Sequence, residues 1–273
     1  MRTVSAIKNI NSTLIVYGFN MVLQFIIRFV LLYYLSIEYL GLNGLFDNIL
    51  TVLSLTELGI GPAIIFSLYA PLANHDLETA KSIMRIFKKA YIYIGTLILF
   101  LGLCISPFVQ HLIKVPPNIA YLNIFFLLFV IDTGISYFYS YKKCLLIADQ
   151  KQYIANYYRG ITQLIGSLFQ IALVILTHSF WVYIILRICM TFCENFLIAR
   201  KADHLYSFLN EKNIRPLNKD IYQSIIRNIK ALILHKIGGV TVFGTSNIIL
   251  SKFVGLSAVA LYTNYYLIIN GID

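Results

Sequence analysis

The chain has 273 residues, of which 59% are hydrophobic and only 12% are charged, with a formal net charge of +10. Soluble domains carry roughly 25% charged residues, so this composition excludes an ordinary soluble enzyme and makes the bilayer the expected solvent. The basic excess would suit a nucleic-acid binder only if it formed a patch, and its placement along the chain decides that point.

A hydrocarbon core of roughly 30 Å is crossed by about 20 helical residues. Apolar runs of that length are expected to span near 12–36, 44–70, 89–106, 118–141, 153–176, 180–199, 231–252 and 257–273, which makes an all-α polytopic membrane protein of about eight transmembrane helices. Residues 1–11 read as an amphipathic lead-in at the membrane interface, with Ile7 and Ile10 against Lys8 and Asn9. The first span carries Arg28 and is followed by no small-residue cleavage site, so it reads as a retained helix and not a signal peptide.

Threading the spans alternately puts Arg2, Lys8, Lys81, Arg85, Lys88, Lys89, Lys142, Lys143, Lys151, Arg200, Lys201, Lys212, Arg215, Lys219, Arg227 and Lys230 on one face, against Lys114 and Lys252 on the other. By the positive-inside rule the N-terminus is expected in the cytoplasm. The charge then reports topology, and a nucleic-acid partner is not expected.

The outer connections are short: Ile37 to Asn43, Pro107 to Pro117, Thr177 to Ser179 and Phe253 to Leu256. None has room for a catalytic domain. The inner connections are longer, and Asp76 is placed to cap a helix running into the third span. The expected organisation is a six-helix bundle over 1–200, a cytoplasmic linker over 201–230, and the first two helices of an incomplete second bundle over 231–273. Within the linker, Asp220 is placed to cap an amphipathic helix through Ile221, Ile225 and Ile229. Cys104, Cys144, Cys189 and Cys193 lie in or beside apolar runs as small hydrophobes, and no His completes a metal set around them.

An ionisable side chain at mid-membrane costs roughly 3 kcal/mol or more, so each needs a partner, a cavity or a role. Such residues are Arg28, Asp47, Glu57, Asp132, Arg159, Arg187, Glu194 and Lys236, with Asp47 and Arg159 near enough to an interface to snorkel. They fall on polar stripes at helical spacing: Thr13, Tyr17, Asn20, Gln24 and Arg28; Asp47, Thr51, Ser54 and Glu57, ending at Gly59-Ile60-Gly61-Pro62; Asp132, Ser136, Ser140 and Lys143; Asn156, Arg159, Gln163, Ser167 and Gln170; Tyr183, Arg187, Thr191 and Glu194. Stripes of this kind either bond helix to helix or line a hydrated cavity.

The recurrence of charge favours the cavity. Arg28, Arg187, Lys236 and Arg159 are the candidates to hold an anionic headgroup, since guanidinium groups bind phosphate bidentately. Glu57, Asp132, Glu194 and Asp47 are the candidates to balance charge or couple an ion, and Gln24, Asn20, Gln163, Ser136 and Thr191 are expected to line the cavity. Tyrosines at span ends, among them Tyr33, Tyr69 and Tyr121, suit an interfacial belt, whereas Tyr17, Tyr183 and Tyr262 lie within spans where they could stack on sugar rings.

From Glu38-Tyr39-Leu40-Gly41-Leu42-Asn43-Gly44-Leu45-Phe46 through Leu53-Ser54-Leu55-Thr56-Glu57-Leu58-Gly59-Ile60-Gly61 to Phe66-Ser67-Leu68-Tyr69, the chain resembles the Wzx-like polysaccharide-unit flippases of the MOP exporter superfamily. Phe87-Lys88-Lys89-Ala90-Tyr91 and Ala148-Asp149-Gln150-Lys151-Gln152-Tyr153 extend the resemblance along the chain. It implies a MATE-like pair of helical bundles around a cationic cavity in a bacterial cytoplasmic membrane. It also implies translocation of undecaprenyl-diphosphate-linked oligosaccharide repeat units for capsule, exopolysaccharide or O-antigen synthesis.

Expected partners are the lipid-linked oligosaccharide, membrane lipids and other polysaccharide-assembly proteins. The family has twelve or fourteen helices, so this chain is expected to correspond to a truncated product or partial sequence. A multidrug exporter of the same fold and an inactive structural fragment are the alternatives. A membrane glycosyltransferase or polymerase would need a catalytic loop that the connections do not offer. No Walker loop and no cofactor motif occurs, so a carrier and not an enzyme is expected.

Overall fold

The computed structural model describes residues 2–57, 59–115, 119–211, 215–239 and 245–272, and all regular structure among them is helical. In chain order the helices are α1 (Arg2–Tyr34), α2 (Ile37–Leu53), α3 (Ile60–Ala73), α4 (Leu77–Ile105), α5 (Leu122–Ala148), α6 (Gln152–Thr177), α7 (Phe180–Leu205), α8 (Lys219–Gly239), α9 (Ser246–Phe253) and α10 (Leu256–Ile272). Short 3-10 turns occupy Ser54–Glu57, Ser106–Leu112 and Ser207–Asn210. Five of these helical stretches are long and apolar enough to cross a membrane, six if α2 and α3 are one bent span. That is the architecture of a multi-pass membrane protein.

Several boundaries differ from the sequence expectation for identifiable reasons. Residues 2–11 do not form a separate surface helix: α1 runs unbroken for 33 residues, because no Gly or Pro interrupts it before Gly18. Ile37 to Asn43 is not a loop but the first two turns of α2, so the connection between the first two spans shrinks to Leu35 and Ser36. The second span is broken, with α3 bent by 46° from the stretch before it. Gly59 supplies the break: its φ of +73° lies in the left-handed region where a side chain is strained.

The seventh apolar run, 231–252, is divided between α8 and α9, and residues 240–244 between them lie outside the described set. The connections Thr177 to Ser179 and Phe253 to Leu256 fall where expected. Lys114 and Lys252, the two cations assigned to one face, also meet at one end: the Lys114 amide donates to Ser251 O at 3.0 Å, and Lys252 Nζ to His111 O at 2.7 Å.

Asp76 caps α4 as its position predicts, accepting the Thr79 amide at 3.0 Å. For α8 the cap is two residues earlier than expected: Asn218 Oδ1 accepts the Asp220 amide at 3.0 Å, and Asp220 itself sits inside the first turn. Its charge still favours the positive end of the helix dipole.

Helix α5 packs against α4 and α7, α6 bridges α1 and α7, and α10 lies against α2. Apolar side chains form two clusters. One, around Leu42, Phe46, Phe126 and Phe129, lies toward the α1–α2 turn, with Phe46 edge-on to both other rings at 5.4 and 5.2 Å. The second, around Ile64, Phe87, Leu145 and Ile198, fills the opposite end.

In lipid, apolar burial supplies little drive between helices, and close packing of small residues takes over. Gly41 is such a contact: a Cβ there would stand 2.3 Å from Leu256 O, so only glycine lets α10 approach α2 this closely. The polar side chains are left between α1, α2, α5, α6, α7 and α10.

Candidate functional site

Two adjoining cavities share Gln24 and Arg28 of α1. One, named inner because it lies nearer the N-terminus of α1, with its neighbour named outer, has a volume of about 370 Å³ and is lined by α1 (Thr13, Tyr17, Asn20, Gln24, Arg28), α6 (Gln152, Asn156, Arg159) and α10 (Thr263, Tyr266), together with apolar Val16, Met21 and Leu267. The outer one, about 280 Å³, adds Asn43, Asp47, Asp132, Gln163, Tyr183, Arg187 and Thr191. Polar stripes that the sequence places on five separate helices, α1, α2, α5, α6 and α7, thus converge. At about 1.5 Å per residue, Thr13 to Arg28 covers about 22 Å of the helix axis, most of a bilayer core.

Helical spacing builds the inner wall. Asn156 is one turn before Arg159 on α6, and its Nδ2 donates to Ser12 Oγ at 3.0 Å and Thr13 Oγ1 at 2.9 Å. Asn9 reinforces the same seam, donating to Gln150 O and accepting the Tyr153 amide. These bonds fix α6 against α1 and leave Arg159 exposed at the cavity wall.

Higher on α1, the Arg28 guanidinium donates to Thr263 O and, at 3.4 Å, to Asn264 Oδ1 of α10. Both acceptors are neutral. Among the described residues neither Arg28 nor Arg159 has a carboxylate within 4.0 Å. No acidic side chain lines the inner cavity, although Arg28, shared with the outer one, has Asp47 as an electrostatic neighbour.

Arg187 is held quite differently. Its Nε donates to Asp132 Oδ2 at 2.9 Å, its Nη1 to Asn43 Oδ1 at 3.1 Å and its Nη2 to Asp47 Oδ1 at 2.8 Å. The guanidinium lies 4.3 Å from the centre of the Phe129 ring, a cation–π contact.

The expectation of four equivalent phosphate-binding cations is therefore corrected for Arg187, which is enclosed by two acids. Asp47 turns inward to it and does not snorkel, and Asp132 acts as its counter-ion. Both carboxylates of the outer cavity are paired with Arg187, and across the two cavities three arginines face two acids. Asp132 Oδ1 and, in the inner cavity, Asn20 Oδ1 are buried with no hydrogen-bond partner among the described residues, so each retains an acceptor for water or a ligand donor.

The remaining candidates divide. Gln24, Asn20, Gln163 and Thr191 line the cavities as expected. Ser136 does not: its hydroxyl donates to Thr133 O of its own helix at 2.7 Å, which satisfies it without a cavity. Glu194 lies 3.5 Å from Gln163 Nε2, has Lys143 as an electrostatic neighbour, and lines neither cavity.

Glu57 is also apart from both cavities, in the 3-10 turn that ends α2, where it accepts the Tyr91 hydroxyl at 3.0 Å. Lys236 lies on α8, and its side chain is outside the described set.

Tyr183 is buried, stacked on Phe180 at 5.4 Å, and its hydroxyl donates to Asn43 Oδ1. Those bonds remove it as a sugar platform. Tyr17 lines the inner cavity, as does Tyr266, stacked at 5.8 Å on Tyr262.

Sequence reasoning missed Asn43, Thr263 and Asn264. Asn43 stands four residues before Asp47 on α2, a same-face spacing that was legible once the helix was known to start at Ile37. Thr263 contributes a backbone carbonyl, which no sequence pattern reports. No metal-holding group of His, Cys, Asp or Glu occurs among the described residues. No protein-family model, curated protein or solved structure matches the chain.

Proposed function

We propose that the chain belongs to a non-enzymatic carrier that moves a diphosphate-linked oligosaccharide across a bacterial cytoplasmic membrane, N-terminus inside, for polysaccharide assembly. The observation that carries this reading is the inner cavity: two arginines without ion-pair partners among the described residues, in a wall that holds no carboxylate. A pyrophosphate headgroup at bilayer depth needs such donors, because desolvating its charge costs more than hydrogen bonding to neutral groups returns.

Arg159 packs near the level of Val16, since a Cβ on its neighbour Gly160 would meet Val16 at 3.2 Å. Arg28 is twelve positions further along, about 18 Å of helical rise. The two guanidinium groups thus form successive stations: Arg159 receives the headgroup at the cytoplasmic end and Arg28 takes it deeper. Asn20 and Gln24 hydrogen-bond between them, and Tyr17 and Tyr266 offer faces to sugar rings.

A multidrug exporter of the same fold would need carboxylates facing its cationic cargo. The acids near the cavities, Asp47 and Asp132, are instead committed to Arg187.

The test is delivery. In cells that depend on this protein for surface polysaccharide, Arg28→Ala and Arg159→Ala should each lower the lipid-linked repeat units reaching the outer leaflet while protein abundance holds. Unchanged surface polysaccharide in both variants would remove the arginines from the substrate path.

A further inference from the structure

Away from the two cavities, a third recess of about 450 Å³ lies beside the N-terminal half of α4. Arg85, Lys88 and Lys89 line it from α4, Tyr141 closes it from α5, and Phe208 comes from the 3-10 turn after α7. Lys81 and Glu211 are also on its wall, and Lys81 is bonded to Glu78 at 2.7 Å and to Glu211 at 2.6 Å. Arg85, Lys88 and Lys89 are exposed, and among the described residues none has a carboxylate within 4.0 Å. Three cations outside these ion pairs thus stand above an aromatic floor and outnumber Glu211, the one acid on the wall.

The same face of α4 continues as Ile92, Tyr93, Phe100 and Leu103, all exposed apolar side chains at helical spacing. A ligand lying along this face meets cations first and then about 17 Å of apolar surface. That sequence of surfaces matches an amphiphile standing in the membrane, headgroup at the helix start and acyl chain along its axis. A soluble anion would use only the first part.

We propose that this face is a binding site for an anionic phospholipid, its phosphate held by Arg85, Lys88 and Lys89 and one acyl chain lying along Ile92 to Leu103. The N-terminus-in orientation places that lipid in the inner leaflet. The site is independent of the diphosphate reading, because Arg28 and Arg159 lie on other helices.

The experiment is native mass spectrometry of the full chain released from detergent, titrated with phosphatidylglycerol, phosphatidylcholine or inorganic phosphate. Phosphatidylglycerol should be retained in preference to phosphatidylcholine, and millimolar phosphate should not displace it. The triple variant R85Q/K88Q/K89Q should weaken phosphatidylglycerol retention by about 100-fold, given the contribution of each cation at an anionic headgroup. The charge-preserving variant R85K/K88R/K89R should restore it.

On the unaltered protein, phosphatidylglycerol carrying a photoactivatable acyl chain should label the Ile92–Leu103 segment. Equal retention of the two lipids, full retention by the glutamine variant, displacement by phosphate, or labelling that avoids this segment would each overturn the assignment.

Discussion

Replacing Arg187 with alanine separates a structural arginine from a functional one. The side chain makes three hydrogen bonds, two of them ion pairs whose acids differ in exposure: the Asp132 side chain is 8% exposed and that of Asp47 44%. The Asp47 pair is screened and contributes at most about 1 kcal/mol. Asp132, left with an uncompensated charge in a low-dielectric interior, dominates, and breaking such a pair costs about 3–5 kcal/mol. Arg187→Ala should therefore destabilise the protein by about 3 kcal/mol or more.

Removing both charges in Arg187→Met with Asp132→Leu should bring stability back to within about 1 kcal/mol of the parent. The chain has one tryptophan, Trp181, on α7 with its ring 4.7 Å from that of Phe125. Its fluorescence during denaturing-detergent titration in mixed micelles reports the relevant packing. A single variant that costs under about 1 kcal/mol, or a double variant no better than the single, would refute the idea that Arg187 is a buried cation neutralised for structure.

Gly41→Ala forces a Cβ against Leu256 O and should cost about 1–3 kcal/mol by overpacking. The same titration should show it, and parental stability would deny the α2–α10 contact. In a background without the native cysteines, single cysteines at Gln24 and Gln163 should react with a water-soluble maleimide, and one at Ser136 should not; labelling at Ser136 matching that at Gln24 would contradict the cavity walls.

Thr79, through its side-chain hydrogen bond first and its amide next, holds the Asp76 carboxyl below the ordinary range. A depressed folded pKa means this cap is fully present above the unfolded value near pH 4 and is lost as pH falls through the folded one. Protection from hydrogen exchange at the start of α4, corrected for intrinsic rates, should fall in that window in the parent and be low throughout in Asp76→Ala; protection in the parent that does not change with pH would refute the cap.

The sequence made the membrane character, helix ends such as Gln152, Thr177 and Phe180, and the Asp76 cap legible, because each rests on local chemistry: apolar run length, turn residues, a side chain three positions from the amide it accepts. It also placed Gln24, Arg28, Asn156 and Arg159 on inward faces, since period 3.6 orders one helix at a time. What it left open was which stripes face each other. Arg187 looked like Arg28 in sequence, a cation amid small polar residues, yet α2 and α5 bring two acids to the one and α10 brings only a carbonyl and an amide to the other. Asp47 was placed at an interface because its distance from the span end was measured from a loop that is in fact helix. The break at Gly59 was visible as a glycine-proline cluster, but its consequence, Glu57 held by Tyr91 away from both cavities, depended on α4.

The account stands most directly on whether Arg28 receives a diphosphate. Equilibrium binding of undecaprenyl diphosphate to the chain in lipid nanodiscs, compared between the parent and Arg28→Gln, measures this. One lost charge-assisted contact of about 1.5–3 kcal/mol predicts affinity about 10- to 100-fold weaker in the variant with unaltered unfolding. Equal affinity in the two proteins would contradict it.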